Sequence, residues 1–376
     1  MANVSLLFHI YPHYRVPIMR ELALYGRHNY TFFGGLKDFQ GIKAFTGNDD
    51  VSVEEITFNG DEASGKMAIA DYDAALSHKF DATIILGNPN VHQTWAACLK
   101  ARRNGLKVAF WAHGWLREKE SWPKAKLRNF YYGLADRVLT YSSRAVGIAG
   151  RTGFNTDSIS VIYNSLDWET QSRHYDTLKE QPLPELRASL GLPANAAILL
   201  TISRVTDLCR YDWLIEAAGA INTQGRPLTI VMIGDGPALP ALKAQAEQLG
   251  VDLRCTGALY DEAVIAAHVM ASDVVVSPGK VGLTAMHALA YGTPIVSHSD
   301  LDRQMPEIEA VIEGQSGALF PFGSVSGLAE AISSVLASSS SPARRREACR
   351  AALIGRFTPQ DQRRLIDDAV DRMLAR

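Results

Sequence analysis

Short apolar runs alternate with longer amphipathic segments along most of the chain. In the first half the runs are Val4–His9, Tyr30–Phe33, Ala82–Leu86, Lys107–Trp111, Arg137–Thr140 and Ser160–Tyr163. Between them, stretches such as Arg15–Tyr25, Val91–Arg103 and Arg144–Arg151 read as helices. A run that is apolar without interruption suits a strand covered on both faces, which is the condition of a parallel sheet. Strands alternating with helices imply right-handed βαβ units.

The alternation stops near Asn164. Residues 165–193 are polar, contain Pro182, Pro184 and Pro193, and read as a linker with one short helix at Pro184–Leu190. It then resumes. Strands are expected at Ala197–Ile202, Leu228–Ile233, Leu253–Thr256, Val274–Ser277, Pro294–Ser297 and Ala318–Phe320. Helices are expected at Tyr211–Ile221, Pro237–Leu249, Asp261–Ala271, Gly282–Tyr291, Val325–Leu336 and Thr358–Leu374, with the serine run 338–341 as a loop. The expected fold class is α/β, with doubly wound domains at 1–170 and 194–356, a linker at 171–193 and a final helical segment at 357–376. Open α/β sheets bind ligands at the carboxyl ends of their strands, so a cleft between two such domains is the expected site.

Composition narrows the function. At roughly 150 residues per domain, 376 residues with 47% apolar content accommodate two cores and exclude general disorder. Lys+Arg 38 against Asp+Glu 40 gives a net charge of -2, which argues against a nucleic-acid partner held by bulk electrostatics. Cys98, Cys209, Cys255 and Cys349 are far apart and form no C-x-x-C pair, so they indicate neither a zinc site nor a disulfide framework. A reducing compartment fits them. The N-terminal apolar run lacks a basic flank and is too short for a secretory signal, and no stretch approaches the roughly 20 apolar residues of a membrane span. A cytoplasmic location is expected. Lys119–Arg128, KESWPKAKLR, followed by Phe130 and Tyr131, mixes bases with aromatics. That suits either contact with an anionic inner-membrane face or a helix with a solvated basic side.

Candidate chemistry gathers at strand ends. In Ser277–Pro294, SPGKVGLTAMHALAYGTP, Gly279 and Gly282 permit close backbone approach and Lys280 lies in the loop. The amides of Gly282, Leu283 and Thr284 fall at a helix start, where free N–H groups and the dipole favour an anion. A phosphate cradle and an ordinary strand-to-helix turn both fit this spacing. In Thr201–Ala217, TISRVTDLCRYDWLIEA, Arg204 falls in a strand-end loop and Arg210 at the next helix. Two guanidinium groups there suit a pyrophosphate, and a surface ion pair such as Arg210 with Asp207 suits them equally. The segment Ile233–Pro237, IGDGP, places Gly234 at a tight turn. Leu239 stands where a third glycine would complete G-x-G-x-x-G, so no nicotinamide or flavin site is read. His113, in WAHGW, ends a strand, while His9, His13, Tyr14 and Arg15 follow the first strand at the same sheet edge. Asp71-Tyr72-Asp73 has the letters of a D-x-D metal motif but is expected on a solvated helix before Ala82. No other metal-ligand spacing, G-x-S-x-G elbow or Walker loop occurs.

Taken in order, these segments resemble the GT-B glycosyltransferases, specifically the large retaining group called family 4. The resemblance is strongest from Ile198 to Ala331, through Arg204, DWLIEA, IGDGP, TGALYDEAV, ASDVVVSPGKVGLTAMHALAYGTPIV and EGQSGALF. It continues more loosely through YPHYRVPIMREL, FWAHGW, ADRVLTYS and VIYNSLD. It implies two facing Rossmann-like domains with a central cleft. The C-terminal domain would bind a UDP-, GDP- or dTDP-sugar, the N-terminal one a carbohydrate or lipid-linked acceptor, and the last helix would pack back on the first domain. It implies no cofactor and no metal, with Arg204 and Arg210 on the pyrophosphate, Gly279, Lys280, Gly282, Leu283, Thr284, His287 and Gly234 around the donor, His113 near the reacting sugar, and His13, Tyr14 and Arg15 toward the acceptor.

Two departures from the family pattern stand out. The family's usual glutamates, eight positions apart, are Gly279 and His287 here, and its usual lysine falls at Cys209, one residue before Arg210. A carboxylate reads a ribose diol through two acceptors and an imidazole does not, so the change at His287 is compatible with a deoxyribose donor such as a dTDP-sugar. The mechanism implied is retaining transfer to an acceptor hydroxyl, with Arg204, Arg210 and the helix dipole stabilising the leaving diphosphate, in bacterial surface polysaccharide or glycolipid synthesis. A catalytically inactive GT-B binding module and a nucleotide-sugar 2-epimerase are the alternatives.

Overall fold

The computed structural model describes residues 1–39, 43–61, 66–69, 71–222 and 227–375. The chain divides into two units, Met1–Leu166 with Arg356–Arg376, and Asp167–Gly355. The strands of the first unit are β1 (Asn3–Ile10), β2 (Asn29–Gly35), β3 (Val53–Glu55), β4 (Phe58–Asp61), β5 (Lys66–Ile69), β6 (Ala82–Leu86), β7 (Lys107–Ala112), β8 (Arg137–Thr140) and β9 (Ile159–Val161). Seven of them form one parallel sheet in the order β3-β2-β1-β6-β7-β8-β9, and β4 and β5 pair as a separate antiparallel hairpin. The continuous apolar runs are buried on both faces. Leu7, Ile85 and Phe110 belong to one core, and Leu6, Phe8, Ile84 and Trp111 to the other. Each fully buried side chain of this size contributes about 1.5–3 kcal/mol.

The helix Pro359–Leu374 closes the second of these cores with Ile366, Ala369, Val370 and Met373. Thr358 caps it, its hydroxyl oxygen accepting from the Asp361 amide at 3.1 Å. The fully buried Asp367 carboxylate accepts from the Tyr30 hydroxyl at 2.8 Å and lies 3.3 Å from Arg363 Nη1. The C-terminal helix is thereby part of the first unit.

In the second unit β10 (Ala197–Ile202), β11 (Leu228–Ile233), β12 (Asp252–Gly257), β13 (Val274–Ser277), β14 (Ile295–His298) and β15 (Gly317–Phe320) form a parallel sheet in the order β12-β11-β10-β13-β14-β15. The stretch read as a linker carries the short helix expected near Pro184–Leu190, at Leu183–Ser189, and a further helix of this unit that was not expected, Trp168–Leu178. Asp167 caps the first, accepting from the Thr170 amide at 3.0 Å. Arg187 pins the second, donating to the Ala271 carbonyl at 3.0 Å and pairing with Asp273 at 2.8 Å. The polar sequence of the first helix hid it, because only Gln171 along it is buried. Asp71-Tyr72-Asp73 is not helical. Asp71 has φ +55° and residues 72–76 run as turns, with Asp73 paired to Lys100.

Candidate functional site

In the second sheet the chain order reverses between β10 and β13, so the loops leaving these neighbours diverge and open a crevice at their carboxyl ends. Those loops are 203–210 and 278–283. They interlock: the Gly279 amide donates to the Cys209 carbonyl at 2.9 Å, and a Cβ on Gly279 would lie 1.9 Å from the Leu208 oxygen. The Thr284 hydroxyl donates to the Ile202 carbonyl at 2.8 Å, Val281 N–H donates to Gln304 Oε1 at 2.8 Å, and His298 Nε2 lies 2.8 Å from the Gly279 oxygen. Gly234, at φ +138°, lets the β11 turn press on the same loop, since a Cβ there would lie 1.9 Å from the Ser203 oxygen. Gly234 therefore shapes the backbone beside Arg204.

Several donors at this edge are unused. Arg204 and Lys280 are exposed, and among the described residues neither side chain meets a hydrogen-bond or ionic partner. The amides of Gly282, Leu283 and Thr284 have no acceptor among the described residues, and the following helix, Thr284–Ala290, starts without a side-chain cap. A Cβ on Gly282 would meet nothing within 4 Å, so the space before these amides is open.

Two expected site residues are engaged elsewhere. Arg210, at φ +53°, pairs with Asp212 through Nε at 3.0 Å and Nη2 at 2.6 Å, and its guanidinium lies 3.9 Å from the Trp213 ring centroid. The partner is Asp212 rather than Asp207, and the charge is already neutralised. The free basic pair at the crevice is thus Arg204 with Lys280. His287 turns toward Glu262, Nδ1 lying 3.5 Å from Oε1, with Gln171 Nε2 at 3.4 Å. Tyr291 donates to the same carboxylate at 2.6 Å. Burial pushes the Glu262 carboxyl up, but the bonds and charge from His287, with Tyr291 and Gln171, outweigh this and hold it below its ordinary value. His287, expected near the donor, is a member of this cluster.

In the first unit the reversal falls between β1 and β6. Arg15 ends the short helix His13–Arg15 after β1. Its guanidinium carbon lies 5.5, 5.1 and 5.8 Å from the ring centroids of Phe8, Trp111 and Tyr141, and it donates to the Tyr141 hydroxyl. His113 follows β7, open to solvent on one side, with its ring 5.0 Å from Tyr141. Burial, then the Arg15 charge, lowers the pKa values of His113 and of His9, the latter to about 4. His13 is exposed with its ring 5.7 Å from Tyr14, and its pKa is lowered by burial and then by Lys43. Arg15, His9 and His113 thus share one edge. Sequence reasoning placed Arg15 there but missed Trp111, from β7, and Tyr141, the residue after β8.

Among the described residues no group of three or more His, Cys, Asp or Glu side chains is arranged to hold a metal, and no helix is long and apolar enough to cross a membrane. A cavity of about 460 Å³, lined in part by Pro294, Gly317, Arg344 and Arg345, lies at the opposite edge of the second sheet and takes no part in the crevice. The helix Trp122–Tyr132 leaves Trp122, Leu127 and Phe130 exposed, with Lys126 Nζ 4.1 Å from the Trp122 ring centroid.

Residues 196–338 match the family model for glycosyl transferases group 1. Among curated proteins, the chain is 29% identical over 127 residues to alpha-monoglucosyldiacylglycerol synthase of Streptococcus pneumoniae, covering 33% of this chain and 29% of that protein. It is 27% identical over 229 residues to the lipopolysaccharide core biosynthesis glycosyltransferase LpsE of Rhizobium meliloti, covering 59% of this chain and 63% of that one. The chain therefore spans under a third of the first relative's length and under two thirds of the second's. Among solved structures, Anabaena Alr3699/HepE in complex with UDP superimposes with a TM-score of 0.73 at 17% identity, covering 99% of this chain and 100% of that one. The fold is GT-B.

Proposed function

We propose that this chain, a GT-B protein carrying a glycosyl transferases group 1 domain over residues 196–338, moves a sugar from a nucleotide-sugar donor to an acceptor hydroxyl. The observation that carries the reading is the set of unused donors at the second sheet's reversal: Arg204, Lys280 and the amides of Gly282, Leu283 and Thr284. Two exposed cations and three unpaired N–H groups on the two loops at that reversal suit a diphosphate. As the sugar–oxygen bond breaks, charge grows on the leaving phosphate, and preorganised donors stabilise that charge without reorganising. The presence of these donors supports turnover that needs no bound metal, so EDTA should leave the rate unchanged. The resemblance to the retaining family 4 enzymes supports attack from the same face of the sugar. Neutral His113, a donor at one ring nitrogen and an acceptor at the other, would orient sugar or acceptor in the first unit.

The relatives' names, which include a glycolipid synthase and a lipopolysaccharide core enzyme, support an acceptor in a surface glycan or glycolipid. Exposed Trp122, Leu127 and Phe130 beside Lys124 and Lys126 support contact with an anionic lipid surface.

The test is a thermal-shift and turnover comparison using UDP, GDP, dTDP, ADP and CMP. A preferred nucleotide at 100 Kd should stabilise by about 2.7 kcal/mol. Arg204→Ala should lower turnover by about 10²–10³. Arg210→Ala, whose charge is already held by Asp212, should lower it by less than about fivefold. If no nucleotide stabilises the protein, or if Arg204→Ala is silent, the reading fails.

A further inference from the structure

Arg15 is a cation without a counter-ion among the described residues: no carboxylate there pairs with it. Of the five N–H donors of a guanidinium, it spends one on a neutral hydroxyl, that of Tyr141. Its other neighbours are the faces of Phe8, Trp111 and Tyr141. Aromatic faces attract a cation but offer its hydrogens no lone pairs along their bond directions, so they stabilise the charge without satisfying the donors.

The cage holds a second orphan. Trp111 is 2% exposed, and its indole Nε1–H meets no acceptor among the described residues. A buried donor left unmade costs about 1–3 kcal/mol, and a half-buried unpaired charge costs more. An unpaired guanidinium beside a buried indole is unexpected in a packed core, where an Asp or Glu would relieve the charge, and none of the described residues supplies one. His9 and His113 border the same cation and are neutral at pH 7, so they add no charge that would repel an anion or compete for it. The cage lies at the carboxyl edge of the first sheet, where loops leave β1 and β7.

We propose that Arg15, its guanidinium held among the Phe8, Trp111 and Tyr141 rings, binds an oxyanion carried by the acceptor, a carboxylate or a phosphate ester, and so selects acidic acceptors over neutral ones. The assignment rests on the reading that the first unit takes the acceptor. A planar guanidinium meets a carboxylate or phosphate through two parallel bonds, which fixes the orientation of the group as well as its charge. The hydroxyl to be glycosylated is then held at a set distance from that anchor.

The experiment is a proton–nitrogen correlation spectrum of the full chain, reading the six tryptophan indole N–H signals, with Trp111 identified by Trp111→Phe. Probes are glucuronate and glycerol 3-phosphate, each against its neutral counterpart, glucose and glycerol, and separately UDP. The Trp111 signal should move with one or both acidic probes at millimolar concentration and stay fixed with the neutral ones. Arg15→Met should weaken that binding at least tenfold, and Arg15→Lys should weaken it less. Arg204→Ala should leave it intact. A Trp111 signal indifferent to both acidic probes overturns the proposal, and the wild-type spectrum alone is enough to show this if Arg15→Met fails to fold. A signal that moves only with UDP and is lost in Arg204→Ala also overturns it, because the anion would then belong to the donor. UDP binding without acidic-probe binding sinks this inference alone. Acidic-probe binding without any nucleotide binding sinks the transferase reading and leaves the anion site standing.

Discussion

His9 gives the first unit a defined acid sensitivity. It lies near the end of β1, 6.1 Å ring to ring from Phe39 and close enough to Arg15 to feel its charge. Burial first, and Arg15 second, lower its pKa from 6.5 to about 4. The folded value lies below the unfolded one, so between pH 6.5 and 4 the unfolded chain binds the proton more readily. The stability this neutral ring contributes is complete above pH 6.5 and is lost as pH falls toward 4. Proton linkage gives a loss of about 2 kcal/mol by pH 5, rising to roughly 3 kcal/mol once both states are protonated. The perturbation is His9→Phe, which keeps an aromatic ring against Phe39 and removes the titration. Urea unfolding followed by tryptophan fluorescence at pH 7.5, 6.5, 5.5 and 5.0 measures both proteins. His13 and His113 are also lowered but titrate in wild type and variant alike, so the difference between the two profiles isolates His9. The wild type should lose about 2 kcal/mol more than His9→Phe between pH 7.5 and 5.0. Parallel profiles would refute the reasoning. An oxyanion beside Arg15 should raise the folded-state value and flatten the wild-type profile, because it cancels the charge that opposes protonation.

Two further outcomes follow from the geometry. Gly279→Ala puts a methyl 1.9 Å from the Leu208 oxygen, so the two crevice loops must separate. We expect a loss of about 1–3 kcal/mol in thermal unfolding together with weaker nucleotide binding, whereas Gly282→Ala, facing open space, should keep its stability. Replacing Trp122 and Phe130 together by Ser should release the protein from anionic phospholipid vesicles in a sedimentation assay while leaving its melting temperature within a degree or two, since both rings are more than 60% exposed. Equal sedimentation of variant and wild type would remove that face from consideration.

What the sequence disclosed and what it hid divide along a physical line. The second sheet was legible almost to the residue, Ala197–Ile202 and Val274–Ser277 included, because a strand buried on both faces has to be apolar throughout. β3, with the sequence Val-Glu-Glu, carries no such mark, and its exposed glutamates kept it out of the apolar runs. The helix Trp168–Leu178 escaped for the same reason, since it presents almost no buried residue. At the crevice, strand ends and glycines located the loops, and Arg204 and Lys280 stand in those loops. Position along the chain did not disclose which charges were available. Arg210 was expected beside Arg204 on a pyrophosphate, but Asp212 and Trp213, two and three residues on, hold it, a local signal that was present in the letters. Arg15 is the opposite case. Its rings arrive from β1, β7 and the residue after β8, so its lack of a counter-ion among the described residues is a property of the folded sheet edge and of no sequence window. A motif names a place where charge can act. Whether the charge is free to act depends on its neighbours in space, and at both sheet edges the residues left unpaired are the ones that a ligand would have to complete.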